Sequence, residues 1–436
     1  MHKKSYHILI QLIRSYIHEF SLLIKSFLSR GGGSVFFALI FSRFVSFISQ
    51  WIALQLIDQK SLGLVLYSYS YLVFLIPIGS WGLNQSFLRY AAIEHDKTRK
   101  DKLFNFTLTR GILISISFST LILIISYFFV VENTELRNYF MIFSYSLVSF
   151  FILELFKIYF RLQHRNNLFA RLEITYSIFL LIMVTLLSKF FLGSGYAVAL
   201  SFSPLVASIV FLPFIKIRKL TYKKPEVVDF KYWKYGFFAE LAGVSNYLLY
   251  SIDLILIQRL LNKPELVTVY KYLSLIPFSF LFIPSMIIAT DFVRLTENIQ
   301  NKNAIHNYTK KYWKIFSLVS VFVLILCFVF PKLILSLFFK DLENNVSTFQ
   351  ILMIGTIGVL MWRGLFGNLL SSIGKMNLNF IISTGGLILN FILNSIFIPK
   401  LGITGAAITT ATIMWLTGIM SYVLFRKYHS KMLKPS

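Results

Sequence analysis

Acid is scarce in this sequence: 18 Asp and Glu stand against 43 Lys and Arg in 436 residues, a formal net charge of +25. Charge of either sign is also scarce, at 14% of the chain, where a soluble chain carries about 25%. Cysteine is nearly missing. The one cysteine, Cys327, sits in an apolar run, so no intrachain disulfide can form and no redox compartment is indicated. The chain has no zinc-ligand spacing, no phosphate-cradling Gly-rich loop, no Ser/His/Asp set and no Asp-x-Asp pair for a nucleotide-sugar metal. Without those signatures the reading is of a protein that is not an enzyme. A cleavable signal peptide is not visible either. Lys3, Lys4, Arg14 and Lys25 interrupt the start, with no clean apolar core before Arg30.

What is abundant is apolar. Hydrophobic residues make up 56% of the chain, 46 of them Phe. They fall in continuous runs of about 20, long enough to cross a bilayer as helices. Barrel strands would instead give short alternating segments, and lipid tolerates no other spanning backbone. The fold class is therefore all-α and polytopic, with about 12 transmembrane helices. The basic residues lie in short loops between apolar runs rather than in a basic domain, so nucleic acid is not the partner they indicate.

The spans read as 34–56, 62–84, 108–131, 138–160, 173–192, 196–215, 235–258, 266–289, 313–338, 347–370, 380–398 and 403–425. Their connections alternate. One set carries about 31 basic residues, from Lys3 through the 216–234 segment to Lys434, and the other only about seven, among them Lys60, Arg137 and Lys400. By the positive-inside rule the rich set is cytoplasmic, with both termini inside. The other loops are under about ten residues, too short for a domain. The expected organisation is an interfacial amphipathic helix over 1–33 that lies on membrane lipid, a six-helix bundle over 34–216 and a basic linker over 217–234. A second six-helix bundle covers 235–425, and a cytoplasmic tail 426–436.

The two halves are weakly alike. Leu64 to Tyr69 (LVLYSY), leading to Pro77, parallels Val267 to Tyr272 (VTVYKY), leading to Pro277. Paired Pro-interrupted helices in two like halves point to a transporter with a central cavity. The other reading of each Pro is a simple kink. Trp81, Trp233, Trp313 and Tyr422 sit at span ends and read as interfacial belts.

Several stretches resemble a known family. They are Gly374-Lys375-Met376-Asn377, then Asn390-Phe391-Ile392-Leu393-Asn394, then Ile398-Pro399 followed by Gly402-Ile403-Thr404-Gly405-Ala406-Ala407. Tyr235-Gly236, Ile252-Asp253 and Gly82 to Tyr90 extend the likeness. Together they resemble polysaccharide flippases of the O-antigen (Wzx-like) type, in the multidrug/oligosaccharidyl-lipid/polysaccharide exporter superfamily. That resemblance implies two six-helix bundles and alternating access in a bacterial inner membrane. The implied substrate is a polyprenyl-diphosphate-linked oligosaccharide for O-antigen, capsule or a related polymer. A polysaccharide polymerase and chain-length proteins are the implied partners. The small residues of the last motif read first as close helix packing.

Ionisable residues inside spans are costly and mark function by default. Arg43, Arg363, Lys271 and Arg110 are all cationic, and a cationic cavity would suit the diphosphate, which Arg binds bidentately. For Arg110 and Lys271, near span ends, snorkelling is the competing reading. Glu154 and Lys157, three apart on one helix, are expected to pair. The resemblance makes Asp253, Asn390 and Asn394 a site for a coupling ion, Na⁺ or H⁺, with pairing of Asp253 to Arg259 as the alternative. No other cofactor is expected. Two other functions stay open: a multidrug exporter of the same superfamily, which would want more carboxylates, and a membrane polysaccharide polymerase, which would want a larger outside loop.

Overall fold

A computed structural model describes residues 33–94, 96–129, 134–215, 225–284, 295, 298–336, 340–373 and 375–433. The expected helix over 1–33 lies outside these residues apart from Gly33, as do 217–224 of the linker. Among the described residues there is helix and no strand.

The first half is built of α1 (Gly33–Leu56), α2 (Gln59–Gly79), α3 (Leu83–Ile93), α4 (Lys97–Phe129), α5 (Thr134–Ser144), α6 (Ser146–Leu162) and α7 (Asn166–Phe211). The second half is built of α8 (Phe230–Leu261), α9 (Pro264–Phe280), α10 (Lys302–Val329), α11 (Pro331–Ser336) and α12 (Val346–Gly358). It continues with α13 (Gly364–Ser372), α14 (Met376–Leu401) and α15 (Ile403–Met432). Among the described residues, nine helical segments are long and apolar enough to cross a membrane. One of these, Asn166–Phe214, makes two passes, and α2 and α8 bring the passes to the expected twelve. Polar caps set several starts. Asp58, Asp229 and Asn301 accept from the backbone N–H of Ser61, Tyr232 and Ala304, satisfying donors that have no partner inside a helix. Asn262 ends α8 in the left-handed conformation (φ 50°), a usual helix stop.

Two spans expected as separate, 173–192 and 196–215, share α7, which folds back on itself at Leu192 (φ 50°). A Cβ on Gly195 would overlap the carbonyl of Leu187 on the other limb. The second half repeats the device. Gly402 (φ 59°) separates α14 from α15, and a Cβ on Gly405 would overlap the carbonyl of Phe397. Both halves thus end in a hairpin whose limbs touch backbone to backbone, which is why small residues mark this motif.

Packing differs between the two ends of the molecule. At the end that carries Asp58, Leu192, Asn262 and Gly402, one continuous core runs through both halves. It joins Ala53, Leu62 and Tyr139 to Ile257, Val267, Phe349 and Ala406. At the opposite, basic end there are two cores. One, around Phe87, Phe104, Phe156 and Phe160, belongs to the first half and the start of α8. The other, around Tyr312, Phe316, Leu365 and Phe366, belongs to the second half. Among the described residues the halves share one core at the far end and keep separate cores at the basic end, where α3 meets α8 in a seam. There Ser86 Oγ donates to the Tyr232 carbonyl at 2.7 Å, and the Arg89 guanidinium lies over the Tyr235 ring.

Trp313 and Tyr422 depart from the belt expected at span ends. Both pack into a ring cluster with Trp362 and Phe366, and Trp313 Nε1 donates to the Met361 carbonyl at 2.9 Å. These residues build the second half's basic-end core instead of a lipid interface.

Candidate functional site

The second half holds a buried polar cluster where four helices meet. Asp253 on α8, and Asn390 and Asn394 on α14, are fully buried. The four-residue spacing of the two Asn puts both amides on one face of α14. Asn394 Nδ2 donates to Asp253 Oδ1 and to Asn390 Oδ1, each at 2.7 Å. Tyr270 of α9 donates its hydroxyl to Asp253 Oδ2 at 2.7 Å, and Thr410 of α15 donates to the same oxygen. Asp253 forms no ion pair among the described residues. The expected alternative, pairing with Arg259, is not found, because Arg259 Nε donates to Tyr71 of the first half at 3.3 Å.

Among the described residues, two buried amide atoms of this cluster lack hydrogen-bond partners: Asn394 Oδ1 and Asn390 Nδ2. Buried polar atoms are normally satisfied, and a buried carboxylate without a cation is costly. The carboxylate, the orphaned amide oxygen and the Thr410 hydroxyl are hard oxygen donors of the type that suits Na⁺. The residues therefore fit the expected ion. Tyr270 and Thr410 were not expected as members, although Tyr270 lies in the Val267 to Tyr272 stretch singled out for its likeness to the first half.

The four expected cations do not form one cluster. Arg43 is exposed on α1, and its guanidinium lies 5.2 Å from the centre of the Phe282 ring, just beyond α9. That ring belongs to the second half, so Arg43 lies where the two halves face each other. Arg363 ends a π-helical turn, Val359–Arg363, between α12 and α13. It donates to Asn379 Oδ1 (3.2 Å), Ser421 Oγ (2.7 Å) and Ser383 Oγ (2.8 Å). These three acceptors, on α14 and α15, fix the position of the guanidinium. Lys271 is half-buried on α9. Its neighbour Tyr270 points to Asp253, while Tyr272 reaches across to donate to the Gln50 carbonyl on α1 at 2.6 Å. Arg110 stands apart. It begins the exposed apolar stripe of α4 that continues through Leu113, Leu121, Ile124 and Phe128. That stripe faces outward, so Arg110 takes the snorkelling role and not a place in the gap.

The expected Glu154–Lys157 pair is present at 2.9 Å, and a second carboxylate joins it: Glu173 of α7 lies 2.7 Å from the same ammonium. Lys157 and Glu173 are largely buried, while Glu154 is half-exposed. The spacing of Glu154 and Lys157 gave the first pair. Glu173 is on another helix, and only the packing of α6 on α7 brings it in.

These features define a class of fold: an all-α polytopic membrane protein of two helical halves that share one core at one end and keep separate cores at the other. No protein-family model and no curated protein matches the chain. Solved structures do. A MOP superfamily transporter from Pyrococcus furiosus superposes with a TM-score of 0.67 at 14% identity, over 92% of this chain and 95% of that one. A multidrug resistance MATE family transporter in its inward-facing conformation gives 0.69 at 14% identity, over 90% and 96%. The lipid II flippase MurJ in an inward closed conformation gives 0.65 at 16% identity, over 91% and 90%. The chain is a polytopic membrane protein with this fold.

Proposed function

We propose that the chain is a flippase that moves polyprenyl-diphosphate-linked oligosaccharide units across a bacterial cytoplasmic membrane by alternating access. The observation that carries this reading is Arg43, an exposed cation at the junction of the halves whose ring contact is with Phe282 of the other half. A guanidinium so placed can take a diphosphate bidentately, and a ring beside it can stack on a sugar. The basic end is cytoplasmic on the distribution of Lys and Arg, so the gap opens inward in this conformation. Coupling falls to Asp253, Asn390, Asn394 and Thr410, which would hold Na⁺; the ion supplies the charge that the buried carboxylate lacks.

The test is genetic and chemical. Deletion should leave lipid-linked oligosaccharide on the inner leaflet with loss of surface polymer, and wild-type chain should restore it. Normal surface polymer in the deletion strain would refute the reading. A second reading, multidrug export, is favoured by one observation: the half-exposed Glu154 carboxylate, in excess over Lys157 with Glu173. Drug hypersensitivity of the same strain with intact surface polymer would favour it.

A further inference from the structure

A second cationic site lies outside the gap between the halves. At the basic end, a cavity of about 470 Å³ opens between the turn joining α6 to α7 and the turn that closes α7. Its walls are His164, Arg165, Asn166, Arg171, Leu168 and Phe214, together with Asn167. All belong to the first half. The connection is built firmly. The Arg165 N–H reaches back to the Phe160 carbonyl at 2.9 Å and the His164 N–H to that of Arg161 at 3.0 Å. His164 takes the left-handed conformation (φ 55°) that such a helix stop needs. Arg165 Nη1 then donates to the Phe214 carbonyl at 3.2 Å, bracing one wall of the cavity against the other.

The charge here is uncompensated. His164, Arg165 and Arg171 form no ion pair among the described residues, and Arg171 makes no hydrogen bond there either. The lining is mixed: guanidinium, imidazole and amide groups on one side, Leu168 and Phe214 on the other. A free phosphate would use only the first set. The cavity also lies where helices emerge from the apolar length of α6 and α7, the depth at which lipid headgroups sit.

We propose that this cavity binds the phosphate headgroup of an anionic membrane lipid, with Arg165 and Arg171 on the phosphate and Leu168 and Phe214 against the first carbons of the acyl chains. The assignment does not depend on what the transporter carries. A lipid held there anchors the first half to the membrane surface while the gap opens and closes beside it.

The experiment uses the full chain in detergent with short-chain phosphatidylglycerol, phosphatidylcholine and inorganic phosphate as separate probes, read by calorimetry. Phosphatidylglycerol should bind and phosphatidylcholine should not. Arg165→Ala/Arg171→Ala should weaken phosphatidylglycerol by about tenfold or more, the effect expected for one lost charged hydrogen bond. Lys310→Glu/Lys311→Glu, a charge change on the same end, should leave it unchanged. Arg165 also braces Phe214, so Arg171→Glu alone is measured beside the double variant, with thermal unfolding as the check of folding. Unaltered binding in folded Arg171→Glu overturns the proposal. So does equal binding of phosphatidylcholine, or an equal loss in the lysine variant, which would mean diffuse surface attraction. Competition by inorganic phosphate at the same concentration as the lipid would also overturn it, by moving the site to a soluble anion.

Discussion

Gly82 and Gly236 meet backbone to backbone across the seam between the two halves. A Cβ built on either residue would overlap the other's carbonyl group. Gly82 also has φ 74°, where an L side chain is strained. Gly82→Ala and Gly236→Ala should each therefore force the seam apart. The expected cost is about 1–3 kcal/mol, the range for overpacking, with loss of transport. Thermal unfolding of the purified variants checks the first effect, and surface polymer in complemented cells the second. Wild-type stability in both variants would mean that this contact does not hold the seam.

Asp253 accepts from Tyr270, Thr410 and Asn394. Asp253→Ala should leave those donors without an acceptor, at about 1–3 kcal/mol for each one stranded. Asp253→Asn keeps an acceptor and should destabilise less. If the site holds Na⁺, added Na⁺ should raise the unfolding temperature of the wild type and of neither variant, because an ion that binds only the folded chain stabilises it. An unchanged Na⁺ response in Asp253→Asn would remove the ion from this site.

Arg43→Ala should lower oligosaccharide export by about tenfold or more, since a lost charged hydrogen bond is worth about 1.5–3 kcal/mol. Arg43→Lys keeps the charge but not the two-pronged geometry and should fall between. Arg110→Ala, on the outward stripe of α4, should export normally. Equal export by the wild type and Arg43→Ala at matched expression would end the role given to Arg43.

Lys157 is held between Glu154 and Glu173. Lys157→Met strands two carboxylates, one of them largely buried, and breaking a buried pair costs about 3–5 kcal/mol. Adding Glu173→Gln removes the more buried charge and should restore much of that loss. A double variant no more stable than Lys157→Met would show that the two residues act independently.

Much of the fold was legible because lipid imposes simple demands. Twelve spans and their alternation could be read from apolar length and loop charge, and the structure's helices follow that register. The four-residue spacing gave the Asn390–Asn394 face, and the resemblance tied it to Asp253. Tyr270 and Thr410 were not legible as members, because nothing local shows that α9 and α15 converge on α8. Glu173 was missed for the same reason. The ring cluster of Trp313 and Tyr422 misled for a different one: an aromatic at a span end has the same sequence signature whether it meets lipid or a neighbouring helix. Arg110 also needed packing, since only the exposed stripe around it tells the inside of a bundle from the outside.

The shared core at the far end has an energetic meaning. Opening that end requires Leu62, Ile257, Val267 and their neighbours to leave an apolar environment, at about 1.5–3 kcal/mol for each large side chain that reaches water. Closing the basic end has no comparable burden, since its two cores are already complete by themselves. The conformation described here therefore keeps this apolar area buried, and opening the far end would expose it. Whatever drives a transport cycle would do its work chiefly in parting that shared core.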